Sequence, residues 1–496
     1  HYPLRRQRQM CIRDRPFSFE AYEFNKQYLL FFLVSVAFLV WLAKMVLVDK
    51  EIRFRQTPLD IPVFLFLLVA ILSAIFSVDK NSSLLGFYGR FSNGLIGLLG
   101  WGVFYFLITN NFKNQEEISS LLKIFLGSVF FTILISYLSV FGVWAKIPGV
   151  PFWLTQRTFN PVFGSLEGLA VFLSVIVVLL TGLLLFLKWH FKQLGYWVLL
   201  ITSLGLLIII DFSPAWITLI VSLGLFLIFA LVKRIFKENV NRLLLPIFLI
   251  ILVLAFLFID GSKFQQSIFQ FPKEQILGQG ISWKVAFSAI KENVKSGFLG
   301  TGIGTWQYDF SKQKPTEFNK NFWWQIRFDR AGNHIAEILG TMGIFGIISY
   351  FFLISIFFLV SWFLIKNREF LPQAMAVLAI LVGQFVYYQN TSLAFLFWLF
   401  LGISVISWQR PLSEKIYSFK DFPELSLVFT SLLILLALAT LGSYFLFGRL
   451  YLADMNYNRG FWTASTEEKT KLFEKAVNLN KNLVFYQMSL AQAYLL

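Results

Sequence analysis

Apolar residues run in long stretches along this chain, separated by short polar segments. The stretches fall near residues 28–48, 60–77, 93–109, 119–142, 162–187, 195–210, 213–232, 244–260, 334–365, 371–388, 391–409 and 425–448. Most match the roughly 17–25 apolar residues that carry a helix across a bilayer. The pattern predicts an all-α, polytopic helical membrane protein with about 12 transmembrane helices, grouped as 28–260 and 334–448. Between the groups lies a long polar segment, 261–333. Inside it, "ISWKVAFSAIKENVKSGFLG" (281–300) puts Trp283, Phe287, Ile290 and Val294 on one helical face. Ser282, Lys284, Ser288, Lys291 and Lys295 lie largely elsewhere, the pattern of an amphipathic helix at a membrane interface. The glycines of "GTGIGTW" (300–306) lack a following G-K-[ST] and a preceding strand, so they read as a tight turn rather than a phosphate loop.

Composition fixes the solvent. The chain is 57% hydrophobic and 14% charged, against about 25% charged in soluble domains. The net charge of +16 would suggest nucleic acid in a soluble protein, but its position excludes that reading here. Lys50, Arg53 and Arg55 follow the first span; Lys188 and Lys192 the fifth; Lys233, Arg234, Lys237 and Arg242 the seventh. Lys366 and Arg368 follow the ninth, and Arg410, Lys415 and Lys420 the eleventh. By the positive-inside rule these loops are cytoplasmic. Segment 261–333 and the tail 454–496 are then expected outside the membrane.

The first fifteen residues, "HYPLRRQRQMCIRDR", resemble neither a signal nor a transit peptide. Residues 1–16 are expected to be non-native sequence. They hold the only cysteine, Cys11, which leaves nothing for a disulfide or a thiolate metal site. At the other end, Phe473, Ala476, Leu490, Ala491 and Tyr494 fall near tetratricopeptide spacing, so 454–496 reads as the start of a helical repeat able to present a protein partner surface. A lone amphipathic helix lying on the bilayer is the other reading.

The chemistry gathers in "IRFDRAGNHIAEILGTMGIFG" (326–346), where Arg327, Asp329, Arg330, His334 and Glu337 stand at the start of an apolar helix. Asn333 suits the N-cap. A helix N-terminus with Arg327 and Arg330 beside it is an anion site, and arginine grips phosphate through two parallel hydrogen bonds. His334 and Glu337, three residues apart, share a face, so the carboxylate is positioned to orient an imidazole that takes a proton near neutral pH. The bland reading is that these charges only anchor a span at the interface. Glu167 is the one carboxylate clearly inside a span, either a functional group facing Arg157 or a structural partner near a helix end. His1, His190 and His334 do not form a ligand set together, so no metal and no cofactor is expected.

The order W-K-x-A-F, G-F-L-G-T-G-I-G-T-W, R-F-D-R-A-G-N-H, E-I-L-G-T-M-G-I-F-G over 281–348 resembles the carboxy-terminal signature of the O-antigen ligase and polymerase family, taken here as the region 281–365. That resemblance implies a metal-independent membrane glycosyltransferase. It would move a glycan from an undecaprenyl-pyrophosphate carrier to a lipid, glycan or protein acceptor outside the bacterial cytoplasmic membrane. It also implies external arginines on the pyrophosphate and a histidine base in the re-entry motif. By position, "YGRFSNG" supplies Arg90, "TQRTFNPVFGSLEG" supplies Arg157, and Arg330 matches the signature arginine. Two positions depart from the family: Gly332 stands where its histidine commonly precedes Asn333, and Pro214 follows Ser213 where many members have arginine. His334 lies two residues on, about 200° around a helix. A transporter or flippase for lipid-linked sugars, and a catalytically lapsed scaffold presenting repeats, are the competing readings.

Overall fold

The structure, a computed structural model, describes residues 18, 23–150, 154–158, 160, 162–186, 193–258, 271, 274–320, 324, 326–364, 366–408, 414–420 and 422–495. The chain is mostly helical and divides into two compact units. The first collects residues 1–54, 139–159 and 414–496, and the second 55–138 and 160–413. Residues 1–16, with Cys11, and His190 lie outside the described residues.

In the first unit, α1 (Phe24–Ala43) ends in a π-helical turn and leads into β1 (Glu51–Arg55), which pairs with β2 (Glu414–Ser418). The second unit holds α2 (Asp60–Ile75), α3 (Lys80–Leu85), α4 (Leu95–Asn111), most of α5 (Gln115–Val140), α6 (Leu166–Phe186), α7 (Leu194–Ile210), α8 (Ser213–Val232) and α9 (Leu244–Phe258). After α9 come α10 (Gln279–Lys291), α11 (Val294–Leu299) and α12 (Trp306–Gln313), then α13 (His334–Leu364), α14 (Leu371–Val386) and α15 (Thr391–Ile406). The first unit closes with α16 (Pro423–Trp462), α17 (Thr466–Leu479) and α18 (Val484–Tyr494).

Every apolar stretch in the sequence coincides with a helix. Seven helices among the described residues are long and apolar enough to cross a membrane, and five more are apolar but shorter. The chain is a helical, multi-pass membrane protein.

In the second unit α6 is buried almost all round, against α7, α8 and α14. Lipid tails are as apolar as leucine, so burial alone gives such a helix little reason to leave them; close packing does. Gly182 meets the backbone of Pro372 on α14, and Gly402 of α15 lies against Ile108 of α4. A side chain at either glycine would push the helices apart.

α13 carries a break. Gly343 has φ 66° and ψ −162°, left-handed backbone that suits glycine. The turn 300–304 fills the break: Thr301 N–H donates to Gly340 O (3.3 Å) and Gly302 N–H to Thr341 O (2.9 Å). Ser73 Oγ on α2 donates to Thr341 O (3.0 Å) and accepts from Ile303 N–H (3.1 Å). Gly300, Gly302 and Gly304 all have positive φ, and a Cβ on any of them would strike neighbouring atoms. The glycine motif is thus a buried wedge.

Segment 281–300 departs from the expected single amphipathic helix. It breaks at Glu292 and Asn293, and Asn293 caps α11. The buried face of α10 is Ser282, Val285, Ala286 and Ala289, not the Trp283–Phe287–Ile290–Val294 line. Small residues win because they let α10 lie close against α13. Phe287 (47% exposed) and Val294 (77%) point away from the protein, while Trp283 and Ile290 are only partly buried.

In the first unit α17 and α18 pack on the end of α16 around Ala453, Tyr457, Phe473, Ala476 and Tyr486, with Tyr486 Oη donating to buried Asp454 (2.9 Å). Here α17 and α18 form a helix hairpin whose core is shared with the end of α16.

Candidate functional site

Asn333 caps α13: its Oδ1 accepts Ala336 N–H at 2.7 Å. Its amide nitrogen donates to Gln279 Oε1 (2.6 Å), and Gln279 Nε2 donates to Gly332 O (3.0 Å) and Val386 O (2.8 Å). The start of α13 is therefore tied to α10 and to the end of α14. Gly332 is held in a close approach that admits no side chain. Its N–H donates to Ser282 Oγ (2.8 Å), and a Cβ there would collide with the Leu277 carbonyl oxygen.

His334 and Glu337 line one cavity of about 60 Å³ in the second unit. Its walls are mainly apolar, including Phe66, Trp101, Ile338, Met342, Phe397 and Trp398, with Ser92, Asn93 and Gln389 as further polar lining. The two residues do not pair as the sequence suggested. Glu337 Oε1 accepts from Asn93 Nδ2 at 2.6 Å, and Oε2 has no hydrogen-bond partner among the described residues. His334 Nδ1 is buried without a partner, and the ring stands edge-on to Tyr350 at 6.0 Å. The helix geometry puts both side chains toward the cavity, but Asn93 has taken the carboxylate.

Arg90 and Arg330 come together on Asp329. Arg90 Nε lies 3.2 Å from Oδ2, as an ion pair rather than an aligned hydrogen bond, and Arg330 Nε lies 3.7 Å from Oδ1. The Arg330 guanidinium also sits 3.7 Å over the ring of Tyr388. Tyr387 and Tyr388 both donate to the carboxylate of Glu274, the former at 2.8 Å. Burial works against the Arg330 charge, but Tyr388, Asp329 and Glu274 outweigh it and hold its pKa above the usual arginine value. Asp329 and Tyr388 fix these two arginines before any ligand arrives.

The other expected residues fall elsewhere. Arg327 is exposed and makes no hydrogen bond or ion pair among the described residues. Arg157 is an exposed residue of the first unit. Buried Glu167 accepts the Glu274 backbone N–H at 2.7 Å through Oε1, which helps place the Glu274 segment. Pro214 lies in the first turn of α8, where its missing N–H costs nothing. Among the described residues no three His, Cys, Asp or Glu gather as a metal site would.

Asn93, Glu274, Tyr387 and Tyr388 were not singled out from the sequence. Asn93 stands in "YGRFSNG", three residues beyond Arg90, and could have been weighed with it. Glu274 is a lone acid in a polar segment, and the tyrosines read as ordinary belt residues at a helix end; only the fold brings them together. Comparison with protein-family models gives no match, and a search of curated proteins gives none either.

Proposed function

We propose that this protein transfers a glycan from an undecaprenyl-pyrophosphate carrier to a hydroxyl of an extracytoplasmic lipid, glycan or protein acceptor, as O-antigen ligases and polymerases do. The reading needs no metal ion or cofactor. The observation that carries it is the meeting of Arg90 and Arg330 on Asp329, next to a largely apolar cavity that holds His334 and Glu337. Arginine forks suit a pyrophosphate leaving group, and two proton-accepting groups within one cavity suit activation of a hydroxyl. Arg327 is exposed near this site and is assigned to the first encounter with the anionic headgroup; Arg157, exposed in the first unit, is assigned to the substrate through the family resemblance alone. The basic loops favour an orientation with residues 261–333 and 454–496 outside the cytoplasmic membrane, with about twelve spans. The helix hairpin at 466–494 is assigned to a protein partner.

The test is release of a labelled sugar from its undecaprenyl-pyrophosphate carrier by the protein in reconstituted membranes. Transfer or release that Arg330→Gln weakens through donor binding supports the reading. Movement of intact carrier across the bilayer, with no sugar released, would make the protein a flippase. Neither activity would leave the lapsed scaffold.

A further inference from the structure

The cavity contains two candidate bases, and their surroundings are unequal. Resting on the glycosyl-transfer reading, we propose that Glu337 accepts the acceptor's proton and that Asn93 is the positioning residue that aims it. Glu337 is 5% exposed, buried in the cavity wall. One of its oxygens is fixed by the Asn93 amide at 2.6 Å, and the other has no partner. That is a carboxylate held at one end and, at the other, buried with no partner among the described residues. Asn93 is itself placed by chain geometry: it ends a short 3₁₀ turn that begins at Phe91, directly after Arg90. The backbone around it leaves little slack, since a Cβ on Gly94 would strike Gly86 and Leu85.

His334 lacks the corresponding support. A histidine base is oriented by an acceptor on its second ring nitrogen, which also balances the charge it gains. Among the described residues His334 has no such acceptor; Nδ1 is buried and unpartnered there. Glu337, in contrast, is buried within electrostatic reach of Arg330, Asp329 and Arg90, so the base and the leaving-group site are electrostatically joined.

The step is a single displacement. The acceptor oxygen forms a bond to the anomeric carbon while its proton passes to Glu337 Oε2. The bond from the anomeric carbon to the pyrophosphate oxygen breaks, and its electron pair leaves with undecaprenyl pyrophosphate, whose charge Arg90 and Arg330 offset. The free Oε2 carries the proton because Oε1 is already occupied by Asn93.

The experiment uses undecaprenyl-pyrophosphate-linked N-acetylglucosamine with a labelled sugar, and the full chain in nanodiscs, with release or transfer measured across a pH series. Glu337→Gln is expected to lower kcat by about 10²–10⁴-fold and to abolish the acidic limb of the pH–rate profile. Asn93→Ala is expected to lower kcat with KM little changed and to shift that limb, and Asn93→Gln, which keeps an amide donor, to recover part of the rate. His334→Gln is expected to keep the limb. An acidic limb that survives Glu337→Gln and disappears in His334→Gln would overturn the assignment while leaving glycosyl transfer intact. No release by the parent protein would remove the transfer reading, and this assignment with it. Melting temperatures of the variants separate loss of fold from loss of the base.

Discussion

Gly332 and Leu277 are in such close approach that no side chain fits between them: a Cβ on Gly332 would collide with the Leu277 carbonyl oxygen. Position 332 is thus closed by packing to any larger side chain. Gly332→His is expected to lower expression and thermal stability rather than raise activity, and Gly332→Ala to do the same more mildly. Overpacking of this kind costs about 1–3 kcal/mol, and a melting curve of each variant checks it. A Gly332→His protein as stable as its parent would show that the 277–282 segment moves aside.

Asp309 gives the structure a pH dependence. It is 1% exposed; Oδ2 accepts from Thr301 Oγ1 at 2.9 Å, and Oδ1 has no partner. Burial holds its pKa well above the usual carboxylate value, with nearby Glu292 adding to the effect and Lys312 opposing it. A group whose folded pKa is raised contributes stability below its unfolded pKa and loses it as pH rises through the folded value. Asp309→Asn, which cannot ionise, should therefore match the parent in melting temperature at acidic pH and exceed it increasingly as pH rises. A constant difference across the series would mean that folding does not shift the Asp309 pKa.

Ser311 is exposed on α12, in the segment assigned to the outside of the membrane. In a Cys11→Ser background, Ser311→Cys is expected to react with an impermeant maleimide in intact cells. Labelling only after lysis would reverse the orientation and place the site on the cytoplasmic face.

Much of the helical frame was legible, because a span must satisfy its own backbone and so announces itself as a long apolar run. The clustering of arginines near the re-entry helix was legible too, since charge at that boundary is scarce. What the sequence hid was which side of a helix faces in. On α10 the large residues Trp283 and Phe287 draw attention, yet Ser282, Ala286 and Ala289 make the close contact. Small side chains bring backbones together, and a hydrophobicity pattern ranks them last. The pairing of Glu337 was hidden for another reason: spacing along α13 favoured His334, whereas the partner, Asn93, is 244 residues away. Gly343 likewise sits in an uninterrupted apolar run, and only the wedge of 300–304 shows why the helix breaks there.

On the proposed function, Arg90 and Arg330 form a pyrophosphate site for a polyprenyl carrier. Its most direct measurement is the affinity of the purified protein for undecaprenyl pyrophosphate, compared with Arg90→Gln and Arg330→Gln. Hydrogen bonds to charged groups contribute about 1.5–3 kcal/mol, so each variant is expected to bind about 10–100-fold more weakly, with binding of the parent falling as salt rises. Affinities unchanged in both variants would contradict the account.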